Sequence, residues 1–198
     1  MCNHNCGIDH STEEIPNNSL YSNINISDSK CLNESNENPL KNCIKPYNQR
    51  HNNKYLESDL DPELLIRLVF TNPVDINGIK ILTQGGFCPD KISFFKENYL
   101  TFDDIETRKP FHTITPNNNI LKDIIYPLPT YKFTGIEILY IYIGDNLGEE
   151  TTRIHYLDLN GKLNPYGKNK GVVNCIYEAK PQIKDHKINN DSKGNIII

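Results

Sequence analysis

Two cysteines and two histidines, Cys2, Cys6, His4 and His10, stand within the first ten residues. Thiolate and imidazole are the donors Zn2+ prefers, so a zinc site is the chemistry this cluster suggests. Neither the Cys-x-x-x-Cys spacing nor the histidine spacing matches a common structural zinc module, and no apolar shell supports them. A polar arm without an ordered ion is the simpler reading. No other cofactor is implied.

Thiol chemistry is the second possibility. A nucleophilic cysteine needs a thiolate beside a base in an ordered site. Cys88 lies in the glycine-rich run Gly85-Gly86-Phe87-Cys88-Pro89 and is expected to be exposed, whereas Cys175 occupies an apolar strand position and reads as core. His112 and His155 are the histidines that fall within strand candidates. There is no Cys-x-x-Cys pair, so a dithiol redox centre is not expected. No catalytic residue is assigned, and the chain reads as a non-enzyme.

Carboxylates form the third group. Glu57, Asp59, Asp61 and Glu63 offer oxygens of the kind Ca2+ takes, but Pro62 and Glu63 stand where an EF-hand loop needs glycine and further ligands. Loop carboxylates that hold a turn are the better account. The same applies to Asp103-Asp104. The segment from Asn146 to Thr152 carries an amide and hydroxyls suited to a tight β connection, and to meeting a partner from a rigid scaffold.

The elements that must position these residues read as strands. Leu64, Ile66, Leu68 and Phe70 share one parity, the mark of a half-buried strand entered from an acidic loop that Pro62 keeps out of a helix. In the next strand, Val74 and Ile76 have one parity and Ile79 and Ile81 the other. A bulge at Asn77-Gly78 would absorb the change; burial on both faces is the alternative. Further strands are expected over 91–96, 111–115, 120–126, 135–144, 153–159 and 171–178, with Asn160-Gly161 as a turn. Phe70 and Ile138 are expected in the core. No segment has ten residues of helical period. The fold class expected is therefore all-β, an antiparallel β-sandwich or jelly roll.

The 198 residues suffice for one substantial core but not for two average domains. A net charge of −4 and the lack of any Lys/Arg run argue against a nucleic-acid partner. The longest apolar run, residues 138–143, is far too short to span a membrane, so no membrane partner is expected. The N-terminus shows no basic region followed by an apolar one. A cytoplasmic and nuclear location with reduced cysteines follows as an expectation. Residues 1–19 read as a flexible Cys/His-containing arm, 20–188 as the domain and 189–198 as a tail.

A series of segments, in order, resembles the PITH domain. They are Leu20-Tyr21, Cys31-Leu32-Asn33-Glu34-Ser35, Ile44-Lys45-Pro46-Tyr47, Glu57-Ser58-Asp59 with Glu63-Leu64-Leu65, and Phe70-Thr71. Phe102-Asp103-Asp104, Lys132-Phe133, Asn146-Leu147-Gly148 with Thr151-Thr152, Tyr156-Leu157 with Leu159-Asn160-Gly161, and Tyr177-Glu178-Ala179 complete it. That module ends the proteasome-associated thioredoxin-like proteins and also stands alone. Lacking a thioredoxin domain, this chain is similar to the stand-alone branch.

The resemblance implies a jelly roll akin to galactose-binding-type domains. It also implies a non-catalytic adaptor for the regulatory particle of the 26S proteasome, and a monomer is expected. A carbohydrate- or small-ligand-binding module is the alternative, suggested by architecture alone. The expected partner-binding residues are Glu57, Ser58, Asp59, Asn146, Thr151 and Thr152, together with the tail residues Ile196, Ile197 and Ile198. That tail departs from the hydrophobic-Tyr-any signature of proteasome-docking tails, since residue 197 is Ile.

Overall fold

The computed structural model describes residues 18–116 and 124–167. Outside them lie Cys2, His4, Cys6 and His10, Cys175, the expected strand over 171–178, the tail Ile196–Ile198 and part of the expected strand over 120–126. The elements in chain order are β1 (Lys30–Leu32), β2 (Leu56–Glu57), β3 (Leu64–Leu82), β4 (Ile92–Phe95) and the helix α1 (Phe102–Thr107). They continue with β5 (His112–Ile114), β6 (Ile125–Pro127), β7 (Ile136–Ile143), β8 (Arg153–Ile154) and β9 (Tyr156–Leu163).

The long strand β3 organises the sandwich. Its first part runs antiparallel between β1 and β7, with Ile66 opposite both Cys31 and Ile141. Its second part pairs instead with β6 and β9, Ile79 facing Tyr126 and Leu159. The handover falls between Val69 and Val74, where the pairing with β7 slips. Pro73, with no N–H for a ladder, sits in that gap, and a strand bent in this way passes from one sheet to the other. One layer has the order β1-β3-β7-β4-β5; β6 and β9 flank the far part of β3. The fold is an antiparallel jelly-roll β-sandwich.

The alternating apolar residues expected at the start of β3 all point into one core. Leu64, Ile66, Leu68 and Phe70 are buried there with Ile92 and Phe94 of β4, Leu139, Ile141 and Ile143 of β7, and Leu157 and Leu159 of β9. The parity change along β3 has the cause expected. Its register with β9 slips between Ile76 and Gly78, leaving Asn77 exposed and returning Ile79 and Ile81 to the same core as Val74 and Ile76.

Two expectations are corrected. Ile138 is not in the main core. It faces the other side of β7 and is only half-buried, against a small outer cluster of Leu65, Phe95, Leu100 and Tyr140. The β7 residues in the main core are Ile136, Leu139, Ile141 and Ile143; a strand apolar on both parities gives no phase by itself. Asn160-Gly161 is not a turn either; it lies inside β9. Gly161 stands opposite Ile76, and a Cβ there would lie 2.1 Å from the Asp75 carbonyl oxygen. The glycine serves a close backbone approach within the sheet.

The helix α1 is a single capped stretch of six residues. Thr101 donates to Asp104 Oδ2 from its backbone N–H (3.0 Å) and its hydroxyl (2.9 Å), and these bonds hold the Asp104 carboxyl below its usual range. Asp103 and Asp104 are thus first-turn acids at a helix start.

Candidate functional site

Three connections meet at one end of the sandwich: 57–63 leading into β3, 83–91 between β3 and β4, and 144–155 after β7. They converge because Leu64 and Ile92 both lie opposite Ile143, so the loops beside these residues share a rim. There β2 and β8 form a small antiparallel pair, Leu56 against Ile154 and Glu57 against Arg153.

Of the expected partner-binding residues of the two loops, Glu57, Ser58, Asn146, Thr151 and Thr152 join one hydrogen-bond network. Glu57 Oε1 accepts from Arg153 Nε at 2.7 Å and from the Thr151 hydroxyl at 3.1 Å; its Oε2 accepts from Asn38 Nδ2 at 3.1 Å. Ser58 donates its N–H to the Thr152 carbonyl (3.1 Å), and its Oγ accepts the Thr152 N–H (2.9 Å). The Thr152 hydroxyl donates to the Pro62 carbonyl at 2.7 Å. Asn146 Nδ2 donates to the Thr151 carbonyl at 2.8 Å, and its Oδ1 accepts the N–H groups of Gly148 and Glu149, each at 2.9 Å. An asparagine side chain that closes its own turn in this way is worth more to the loop than to a ligand.

Burial divides the roles. Ser58 is 1% exposed, Thr152 0% and Asn146 7%, so these side chains hold the loops rather than meet another molecule. The side chains exposed on the rim are those of Asp59, Leu60 at 87% exposure, Leu147 at 43%, Glu149 and Glu150. Gly148 shapes the second rim with φ of 116°, a conformation side chains disfavour.

Residues not singled out from the sequence as site residues complete the frame. Asn33, in the left-handed region at φ 62°, donates from Nδ2 to Asp61 Oδ1 and to the Glu63 carbonyl, both at 2.7 Å. Its own Oδ1 accepts the Leu60 N–H at 3.3 Å. The Arg153 guanidinium lies 4.0 Å from the Phe87 ring centroid and 5.3 Å from that of Tyr55. The Tyr142 hydroxyl donates to Glu63 Oε1 at 3.0 Å; burial and that bond push it up to about 12. Asparagine's tolerance of left-handed backbone was the available signal for Asn33, but many asparagines in the chain share it. For Arg153 and Phe87, neighbours only in space, there was none.

The carboxylates of Glu57, Asp61 and Glu63 are thereby engaged in loop bonds. Among the described residues no three His, Cys, Asp or Glu side chains converge as metal ligands would. The expected exposure of Cys88 is corrected: it is buried at 1%, its N–H bonded to the Gly85 carbonyl, and burial pushes its thiol up. Cys31 and Cys43 are likewise buried and free, with their thiols raised by desolvation. His112 stacks on Phe94 at 6.1 Å, and His155 packs against Tyr55 at 5.3 Å. Burial lowers the pKa of both; Lys132 acts in the same sense at His112, and Lys45 and Arg153 at His155.

Fold and loop end together define an antiparallel jelly roll. Solved structures of that class superpose on it. A family 32 carbohydrate-binding module from C. perfringens NanJ in complex with galactose has a TM-score of 0.51 at 13% identity, covering 72% of this chain and 97% of that one. A fucolectin from striped bass (Morone saxatilis) serum also gives 0.51, at 10% identity, covering 74% and 49%. At such identities the likeness is one of fold alone.

Sequence relatives decide the family. The PITH domain model matches residues 10–181. PITH domain-containing protein 1 of Danio rerio is 35% identical over 172 residues, covering 85% of this chain and 81% of the relative. The Homo sapiens protein of the same name is 32% identical over the same shares. The chain belongs to the PITH domain family.

Proposed function

We propose that this chain is a non-catalytic docking module that associates with the regulatory particle of the 26S proteasome, as a monomer in cytoplasm and nucleus. Family membership supports the class of partner. The observation that carries a docking role is the division of labour at the loop end. Buried polar side chains (Ser58, Thr152 and Asn146) brace two loops that carry exposed leucines and acids outward. A braced rim of this kind binds without first paying to order itself. The raised pKa values of the described thiols favour a binding role over thiol catalysis.

Affinity purification of the tagged full chain from its native cell, followed by subunit identification, tests the reading. Recovery of regulatory-particle subunits is expected; their absence at salt concentrations that preserve the particle would reject it. Deleting Asn195–Ile198 tests the tail separately: weakened recovery means that it docks, and unchanged recovery assigns docking to the loops.

The carbohydrate-binding alternative rests on the jelly-roll architecture. The chain has no tryptophan to stack on a sugar ring, so any stacking falls to tyrosine or phenylalanine. A glycan array without a binder would dispose of it.

A further inference from the structure

The segment Ile44-Lys45-Pro46-Tyr47 has no part in the loop network, yet it holds an unusual group. Lys45 is 5% exposed, and its ammonium donates to two neutral acceptors, Asn52 Oδ1 and the Lys54 carbonyl (2.8 Å). A buried ammonium is ordinarily matched by a carboxylate, because removing a charge from water is costly. Pro46 then starts a tight turn, Tyr47–Gln49, that ends on Arg50, also 5% exposed. The Arg50 guanidinium stacks 3.9 Å from the Tyr47 ring centroid and donates to the Tyr47 carbonyl at 3.1 Å.

Beside this turn lies a cavity of about 190 Å3, lined by Arg50, His51, Asn52, Thr83, Gln84 and His155. Among the described residues no acidic side chain lines it, while its walls supply a guanidinium, two imidazoles, amides and a hydroxyl. Asn52 links its wall to the Lys45 ammonium. Asp158, a buried acid of this region, does not line the cavity: its Oδ1 accepts the Ser19 hydroxyl at 2.8 Å, and Lys80 stands opposite it across the β3–β9 pair. A single water takes up about 30 Å3 of liquid, so the space admits a larger group.

We propose that this cavity is a binding site for a small oxyanion, a carboxylate or phosphate group. His51 and Gln84 are its direct donors, Arg50 forms part of its wall, and Lys45 is the buried positive charge behind Asn52. The oxyanion supplies the negative charge that Lys45 lacks. The site is independent of proteasome association, and neither reading stands or falls with the other.

Titration of the full chain at low ionic strength, followed by the NMR signals of the His51 and His155 rings, tests it with inorganic phosphate, succinate and galactose as probes. Saturable shifts with phosphate or succinate are expected, weakened at least tenfold in H51A and Q84A. Both residues are exposed, so these variants fold. The response of K162M, a change in a lysine outside this cavity, should match that of the parent chain. Saturation by phosphate alone identifies a phosphate site, and by succinate alone a carboxylate site. Saturation by galactose without either anion overturns the proposal, as does no saturation with any probe or equal anion binding by H51A and Q84A.

Discussion

Glu57 is the residue on which the loop end turns, since three side chains from two distant segments donate to its carboxylate. Replacing it with alanine leaves Arg153, Thr151 and Asn38 without their acceptor. A loss of about 1–3 kcal/mol is expected, the range for stranding a partly buried polar partner. E57Q keeps the shape and one acceptor oxygen, and is expected to lose less. Urea denaturation of the two variants beside the parent measures this, and equal stabilities would remove Glu57 from the frame.

His155 supplies a pH prediction at the same scale. The folded chain holds its imidazole neutral through burial and the nearby Lys45 and Arg153, so its folded pKa lies below the ordinary 6.5. The unfolded chain therefore binds the proton first as pH falls. Stability present above 6.5 is lost as pH drops through the window beneath it. The urea midpoint should fall between pH 7.5 and pH 5, and H155Q should flatten that fall. An unchanged slope in H155Q would place the effect elsewhere, His112 being the other candidate with a lowered pKa.

Among the elements, β7 and β3 permit a comparison of faces. Leu139 is fully buried in the main core, whereas Ile138 is half-buried on the outer side. L139A is expected to cost about 2–5 kcal/mol and I138A clearly less, as the cavity left by a buried residue adds to the transfer cost. F70A, where β3 leaves its first layer, should cost about 3–5 kcal/mol by the same rule. Chemical denaturation ranks the three; I138A proving as costly as L139A would reverse the assignment of faces. Gly161 presents the opposite case. The atoms that an added Cβ would strike include backbone of Asp75 and Ile76, which cannot swing aside. G161A should therefore lower the thermal midpoint more than an ordinary overpacking of about 1–3 kcal/mol would.

For the molecule as a whole, the loop-end rim can be separated from the fold that carries it. Leu60 and Leu147 are exposed and lie outside the core. Aspartate at both should leave the melting temperature nearly unchanged, since surface changes away from such features cost within about 0.5 kcal/mol. Recovery of regulatory-particle subunits by the double variant L60D/L147D should fall. Undiminished recovery would move docking off this rim.

Much of this molecule was legible before any tertiary contact was known. Period-two apolar residues from Leu64 to Phe70 and the parity change across Asn77 follow from the pleat, which sends neighbouring side chains to opposite faces. Hence the strands, the bulge and the sandwich class could be read locally, and the ordered motifs carried the family. The phase of β7 could not, because apolar residues on both parities fit either orientation. Nor could the position of Gly161 within a strand, since its reason is the Asp75 backbone, far away in sequence. That Ser58 and Thr152 are bonded to each other, that Cys88 is buried, and that Lys45 lies beside a cavity lined by no acid among the described residues were decided only by the tertiary structure. Each depends on which distant segments the jelly roll brings together, and no local spacing encodes that.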